Sequence, residues 1–265
     1  MLLELNPKIT WLHYVNPSLK LFLLVLLFVG LLFVDYIHFH IYFVIGLSFL
    51  YFFMTGYSMK WLLLFASPFI VIFISSFTSM AFFGEGETTF FHFGIIHVTE
   101  ESFFRGLHLG LRSIIFGYLG LLFALTTKPV SLFYSSMQQY KLKPKIAYSF
   151  MAAVRLLPMI AEEVYTLRQA LKVRGVTFSR GITGYYDRIK YYAVPILAQS
   201  IRRAHRISTA MEAKSFNGDV KRTYFYQIGY GRYDLYFCLL LIIGTIACYF
   251  LQRFYSFLPI DRVIH

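Results

Sequence analysis

Glu162, Glu163 and His205 are the residues of this 265-residue chain that are best suited to acid–base chemistry. Carboxyl groups and an imidazole can transfer protons when they converge on one substrate. The two glutamates are adjacent, however, so on a helix they point about 100° apart and do not converge. No nucleophile and no metal-ligand spacing accompanies them in the sequence. We therefore expect neither a catalytic site nor a metal site, and an integral membrane enzyme is a disfavoured alternative.

Two other segments place a cation at the end of a predicted helix. The first helix stops at Val173-Arg174-Gly175, and the second ends with Ala213-Lys214-Ser215, shortly before Gly218. A cation in the last turn complements the helix macrodipole, and glycine accommodates a left-handed cap. The functional alternative is that two rigid helices each present one cation to an acidic site on a partner protein. Spacing alone favours the capping explanation.

The composition indicates that these segments belong to a membrane protein. Hydrophobic residues make up 58% of the chain and charged residues only 14%, against about 25% charged residues in a typical soluble domain. The net charge of +12 is concentrated in residues 128–233, which hold 18 of the 25 Lys and Arg but five of the 13 acidic residues. A positive block between apolar segments is typical of a loop on the cytoplasmic side of a bilayer. Nucleic-acid binding is a poorer explanation of this charge.

Five apolar segments are candidate transmembrane helices, which need about 20 residues each. They cover residues 17–34, 37–58, 61–83, 105–126 and 235–252. The first is the weakest, because Lys20 interrupts it. Either the Lys20 ammonium group reaches back to the lipid headgroups, or the segment is half of a shallow hairpin. The prediction is an all-α polytopic membrane protein with about five transmembrane helices.

Three regions follow from this division. Residues 1–127 hold the first four spans, residues 128–233 form a cytoplasmic domain, and residues 234–265 hold the last span and a short outer tail. With residues 128–233 inside, the N-terminus also lies inside and the C-terminus outside. The minor charges agree, since Lys8, Lys20 and Lys60 then fall on the cytoplasmic side.

The fourth predicted span contains two features beyond apolar character. Gly106 and Gly110 form a Gly-x-x-x-Gly pair, which lets another helix approach closely, and we expect a packing role for them. Arg112 lies seven residues after Arg105 on the same face, about 10 Å deeper along the helix. An ionised group at that depth usually faces protein and is a functional candidate. The alternative is that Arg112 reaches the outer surface from a tilted helix.

The cytoplasmic block changes from uniformly apolar to amphipathic. One apolar stripe with helical spacing predicts a helix of about 40 Å, with Pro158 in its middle as a predicted kink. A second stripe predicts another long amphipathic helix, and the two stripes face each other or the membrane. The first stripe comprises Ile146, Phe150, Ala153, Leu157, Ile160, Val164, Leu167 and Leu171, and the second Ile189, Ala193, Leu197, Ile201, Ala204, Ile207 and Met211.

Several short motifs, in this order and spacing, give the chain a family resemblance. They are Asn16-Pro17-Ser18-Leu19-Lys20-Leu21, Thr126-Thr127-Lys128-Pro129, Leu156-Leu157-Pro158, Gln169-Ala170 before Arg174-Gly175, and Ala210-Met211-Glu212-Ala213. The chain resembles the T component, the transmembrane coupling subunit, of energy-coupling-factor (ECF) ABC importers of vitamins and metals. The resemblance covers most of the chain.

The resemblance implies a function. In that family two coupling helices end in Ala-Arg-Gly motifs that dock into a pair of cytoplasmic ATPases, while a separate small membrane subunit binds the substrate. The T component binds no cofactor, because its partners hydrolyse the ATP. Carried over, the docking residues are Val173, Arg174 and Gly175 in the first motif and Ala213, Lys214 and Ser215 in the second. The implied location is the bacterial cell membrane, that is, the inner or plasma membrane.

Two departures from the motif lie in the second copy. Lys214 replaces a planar, bidentate guanidinium group with a point charge, and Ser215 in place of glycine is expected to remove the flexible helix stop. The resemblance therefore implies a weaker second contact or a divergent ATPase surface. The remaining alternative function is a stand-alone permease or channel, which would need polar residues along a path within the spans, and these are scarce.

Overall fold

The computed structural model describes residues 8–84, 89–93, 96–179, 181–216 and 223–255, with the backbone alone for 89–93 and 96–98. The chain divides into two compact units. Unit 1 combines Met1–Lys128 with Ile228–His265, and unit 2 is Pro129–Gln227. Within these ranges the protein is all-α apart from one short hairpin, so the predicted fold class is confirmed.

Unit 1 is built from five α-helices, among the residues described. A 3₁₀ turn at Trp11–Tyr14 leads into the first of them. The helices are α1 (Pro17–Leu32), α2 (Ile37–Met54), α3 (Met59–Phe83), α4 (Glu100–Thr126) and, after unit 2, α8 (Arg232–Phe254). Between α3 and α4, strands β1 (Thr89–Phe93) and β2 (Ile96–Thr99) pair antiparallel. The sequence did not predict this hairpin.

Four of the described helices are long and apolar enough to cross a membrane: α2, α3, α4 and α8. The protein is thus a multi-pass membrane protein. The first predicted span, residues 17–34, is shorter than expected, because α1 has 16 residues. A helix of that length rises about 24 Å, which is less than the hydrocarbon thickness of about 30 Å.

The glycines of α4 form a packing surface for α3. A methyl group added to Gly110 would lie 2.7 Å from Phe73 Cδ2, and one added to Gly106 would lie 2.9 Å from the Phe77 carbonyl oxygen. Gly117 makes a similarly close approach to the Phe69 ring. Phenylalanines spaced four residues apart on α3 therefore fit against the glycine face of α4. The packing role predicted for Gly106 and Gly110 is confirmed.

Unit 2 contains three helices among the residues described: α5 (Pro129–Gln139), α6 (Pro144–Val173) and α7 (Ile182–Ala213). The two long helices predicted from the stripes are confirmed, whereas α5 was not predicted. Helix α6 continues through Pro158 without a break, and the kink there stays a prediction. A small core of Met137, Ala147 and Met151 joins α5 to the first half of α6.

Most of both apolar stripes is exposed. On α6, Ile146, Phe150 and Leu157 are exposed, and on α7 Leu197 and Ile201 are exposed, the last to 69% of its surface. Leu171 is the buried exception. The stripes therefore leave a large apolar surface of α6 and α7 uncovered by the described part of the chain.

Candidate partner-docking site

The first candidate docking segment lies at the end of α6. The helix ends at Val173, and Gly175 turns the chain with a φ of 69°. The Val176 N–H donates to the Leu171 carbonyl oxygen at 3.1 Å, and the Gly175 N–H donates to that of Lys172 at 3.1 Å. This is the hydrogen-bond pattern of a Schellman cap, in which glycine readily adopts the left-handed position. The turn leaves Val173 88% exposed.

The second candidate segment, at the end of α7, has the same backbone geometry. The Phe216 N–H donates to the Met211 carbonyl oxygen at 2.9 Å, and the Ser215 N–H donates to that of Glu212 at 2.9 Å. Ser215 takes the left-handed position, with a φ of 54°. The helix stop that serine was expected to remove is therefore present, so that expectation was wrong for the backbone. Serine in place of glycine therefore keeps the shape of the cap but puts residue 215 in a strained backbone conformation.

Replacing Ser215 with glycine should stabilise the protein. A left-handed conformation costs a residue other than glycine about 1–2 kcal/mol, while the extra freedom of glycine in the unfolded chain costs about 0.4–1 kcal/mol. We expect Ser215→Gly to raise the free energy of unfolding by about 0.5–1 kcal/mol, measured as a higher thermal midpoint in detergent. The matched change Gly175→Ala should lower it. A lower midpoint for Ser215→Gly would contradict this account.

All six candidate docking residues are exposed: Val173, Arg174, Gly175, Ala213, Lys214 and Ser215. We call residues 173–175 tip 1 and residues 213–215 tip 2. Among the described residues, no hydrogen bond or ion pair engages the charged ends of Arg174 and Lys214. Each tip thus presents a cation beside a helix terminus.

The two tips lie at opposite ends of an antiparallel helix pair. At one end the ring of Phe178, just beyond tip 1, lies 5.8 Å from that of Tyr191 in the first third of α7. At the other end the ring of Phe216, beside tip 2, lies 5.7 Å from that of Tyr148 near the start of α6. Partners docked at both tips would therefore be held apart by the helix pair.

An ion pair joins α6 to α7 midway between the tips. The Arg203 guanidinium group donates to the Glu163 carboxylate, and the Gln199 side chain donates to the same oxygen at 3.4 Å. Arg174 follows Glu163 by eleven residues, and Lys214 follows Arg203 by eleven, so each tip is about 16 Å along its helix from this contact. Glu163 is engaged in this pair, which argues further against the acid–base set considered from the sequence.

Arg112 contacts the connection between α1 and α2 within unit 1. Its guanidinium group donates to the Val34 carbonyl oxygen at 3.0 Å and lies 3.6 Å from the Asp35 carboxylate. The Arg112 side chain is 13% exposed. It therefore faces protein and fastens α4 to that connection.

A buried polar cluster, which was not predicted from the sequence, lies at the other end of α4. Lys20 is fully buried, and its ammonium group donates to the Leu12 carbonyl oxygen at 2.7 Å and to Thr126 Oγ1 at 2.8 Å. Of the two alternatives considered for this segment, the one in which the Lys20 ammonium group reaches the lipid headgroups was therefore wrong. Lys20 and Thr126 belong to two of the motifs that carried the family resemblance, and those motifs were the only signal for the cluster in the sequence.

Among the described residues, no group of three or more His, Cys, Asp or Glu side chains could hold a metal ion. Cys238 and Cys248 are free thiols on α8. Arg174 and Lys214 are exposed at the two tips, and exposed cations of this kind can bind acidic protein surfaces.

A family model and several curated relatives match most of the chain, and all of them are transport proteins. Residues 8–225 match the CbiQ family, described as cobalt transport protein. The energy-coupling factor transporter transmembrane protein EcfT of Macrococcus caseolyticus is 24% identical over 261 residues, which cover 93% of this chain and 96% of the relative. The protein of that name from Thermosediminibacter oceani is 27% identical over 256 residues, 90% of this chain and 94% of the relative. The one from Lacticaseibacillus paracasei is 24% identical over 240 residues, 86% and 89%.

Proposed function

We propose a coupling function for this chain, which belongs to the CbiQ cobalt transport protein family and is a transmembrane component of an energy-coupling factor transporter. A coupling subunit transmits movement from one partner protein to another. In this proposal it links two cytoplasmic ATPase subunits to a small substrate-binding membrane subunit of a vitamin or micronutrient importer. The chain catalyses nothing, and ATP is hydrolysed by its partners.

The observation that carries the proposal is the geometry of the two tips. Arg174 and Lys214 lie on exposed helix ends with the same capped backbone. Because α6 and α7 are antiparallel, the tips are far apart. Two sites of one shape, held apart on rigid helices, suit two related partner subunits. Closure of the ATPase pair on ATP would then push the helix pair from both ends.

The exposed stripes support the second half of the proposal. Apolar side chains such as Leu157, Leu197 and Ile201 lie uncovered on α6 and α7. Burial of an apolar side chain of this size contributes about 1.5–3 kcal/mol. The substrate-binding membrane subunit and lipid are the partners we assign to this surface.

The charge distribution supports one orientation in the membrane. Residues 128–233 carry 18 of the 25 Lys and Arg, and an excess of Lys and Arg next to the ends of transmembrane spans is typical of the cytoplasmic side. We therefore place the chain in the bacterial cell membrane, with the N-terminus and this block on the cytoplasmic side and the C-terminus on the outer side. ATPases in the cytoplasm can reach the tips only in this orientation.

Purification from the native membrane tests the proposal. The tagged chain is extracted in mild detergent and washed with salt, and the proteins that remain bound are identified by mass spectrometry. We expect ATPase subunits and one small membrane protein at fixed ratios to the chain. A chain recovered alone after mild extraction, with and without salt, would contradict the coupling function and favour the stand-alone permease.

A further inference from the structure

The buried lysine of α1 is the feature that the proposed docking function leaves unexplained. Its ammonium group has three hydrogens to donate, and three acceptors surround it. They are the Leu12 carbonyl oxygen at 2.7 Å, Thr126 Oγ1 at 2.8 Å and the Thr126 carbonyl oxygen at 3.4 Å. Burying an ammonium group costs several kcal/mol unless it is paired and hydrogen-bonded. Two of these hydrogen bonds are made to Thr126 in the last turn of α4, so Lys20 caps that helix, and the third is made to the 3₁₀ turn.

A second set of contacts ties the start of α8 to the same segment. One oxygen of the buried Asp234 carboxylate accepts from the Asn16 N–H at 2.6 Å, and the other accepts from the Gly231 N–H at 2.7 Å. The Asn16 side-chain amide donates to the Gly229 carbonyl oxygen at 3.3 Å. Asn16 also accepts from the Ser18 N–H at 3.1 Å and so caps α1. We call Asn16, Lys20, Thr126 and Asp234 the anchor.

The anchor is also an electrostatic unit. The negative charge of Asp234 acts on Lys20 and offsets part of the cost of burying it. His13 lies in the 3₁₀ turn, outside the membrane spans. Its pKa is lowered mainly by burial and secondly by the positive charge of Lys20. An apolar side chain in place of Lys20 would be tolerated in terms of burial alone, since such replacements in cores are often neutral. What only the lysine provides is directed bonds to the end of α4.

The anchor residues sit where the chain leaves unit 1 and where it returns. Unit 2 begins at Pro129 and ends at Gln227. Thr126 precedes that start by three residues, and Gly229 follows that end by two. A single short segment, residues 16–20, therefore contacts both the last turn of α4, which precedes unit 2, and the first residues that follow unit 2.

We propose that the anchor positions both chain connections to unit 2, so that movement of α6 and α7 is passed to the membrane helices. This rests on the proposed coupling function and assigns a positioning role to Lys20. If the connections were loose, motion at the tips would be absorbed by the chain on either side of unit 2. With Thr126 and Gly229 held, it displaces α4 and α8 instead.

Hydrogen–deuterium exchange of the assembled transporter tests this without a transported substrate. The probe is ATP with vanadate, which holds the ATPase pair closed. In the wild type we expect trapping to change amide exchange at least fivefold in peptides of both unit 2 and α4 or α8. In Lys20→Met the change should persist in unit 2, with ATP hydrolysis retained, and disappear from α4 and α8.

Two further variants separate positioning from stability. Lys60→Met makes the same substitution at an exposed lysine on α3 and should respond like the wild type. Thr126→Val removes one acceptor of Lys20 with little change in shape and should weaken the α4 response, even if Lys20→Met fails to fold.

Two outcomes would overturn the anchor role. The first is a wild-type response confined to unit 2, and the second is an unchanged α4 and α8 response in Lys20→Met or in folded Thr126→Val. In either case the ATPases remain bound. Failure of the wild-type chain to bind ATPases at all would instead overturn the proposed function.

Discussion

Arg174→Glu should release the ATPase subunits while leaving the chain folded in its membrane. The Arg174 side chain is exposed at tip 1. Charge reversal therefore removes no side-chain hydrogen bond or ion pair to the described part of the chain. At an acidic partner surface it replaces an attraction with a repulsion, and losing a close charge pair at an interface costs about 2–5 kcal/mol. We expect the affinity for the ATPases to fall by about 100-fold, measured by titrating purified ATPases onto the reconstituted chain.

Arg168→Glu is the matched control for this experiment. It makes the same charge reversal on the same helix, at an exposed position six residues before Arg174. Its effect should be limited to weaker long-range attraction and should shrink in salt. Equal losses in the two variants would mean that the overall positive charge of unit 2, and not tip 1, binds the ATPases. Retention of the ATPases by Arg174→Glu would rule out docking at this residue.

Tip 2 provides a graded comparison. Its backbone matches that of tip 1, and its charged residue is a lysine where tip 1 has an arginine. Since a guanidinium group can bind a carboxylate with two parallel hydrogen bonds and an ammonium group cannot, Lys214→Glu should weaken binding less than Arg174→Glu.

The parts of the fold that were predictable from the sequence depend on periodicity and composition. Apolar runs of about 20 residues predicted the long spans, and an unbroken stripe with helical spacing predicted α6 and α7. The β1–β2 hairpin was missed because its strands have only five and four residues. Helix α5 was missed because eleven residues are too few to show a clear stripe.

The candidate site was predictable only in part, because its contacts join residues far apart in the chain. Local spacing placed Arg174 and Lys214 at helix ends, but it could not reveal that Ser215 would adopt a left-handed turn. Lys20 illustrates the same limit. Taken alone, a lysine at the start of an apolar segment indicates a side chain that extends to the headgroups, and its partner Thr126 lies 106 residues away.

Glu163→Arg should weaken binding of the ATPase pair even though Glu163 touches neither tip. The substitution places two guanidinium groups face to face where α6 and α7 are joined. The repulsion should let the helices separate, so the distance between the tips becomes variable. Two linked sites bind a paired partner more tightly than either does alone only when their spacing matches. We expect about a tenfold loss of affinity for the ATPase pair, which corresponds to about 1.4 kcal/mol.

The reciprocal exchange tests whether the pair acts as a pair. Arg203→Glu alone should cause a similar loss, because it leaves two carboxylates opposite each other. The double variant Glu163→Arg with Arg203→Glu restores opposite charges and should recover most of the affinity. Spin labels at Lys172 and Glu212, beside the tips, should report a broad distance distribution in each single variant and a narrow one in the double variant.

Glu162→Arg is the control that the chain itself offers. Glu162 is adjacent to Glu163, carries the same charge and is exposed, so the same substitution there should leave both the affinity and the distance distribution unchanged. If the double variant does not recover the affinity, the two residues act independently and do not hold α6 and α7 together as an ion pair. With recovery, the coupling energy from the double-mutant cycle measures what the contact contributes to holding the tips at a fixed separation.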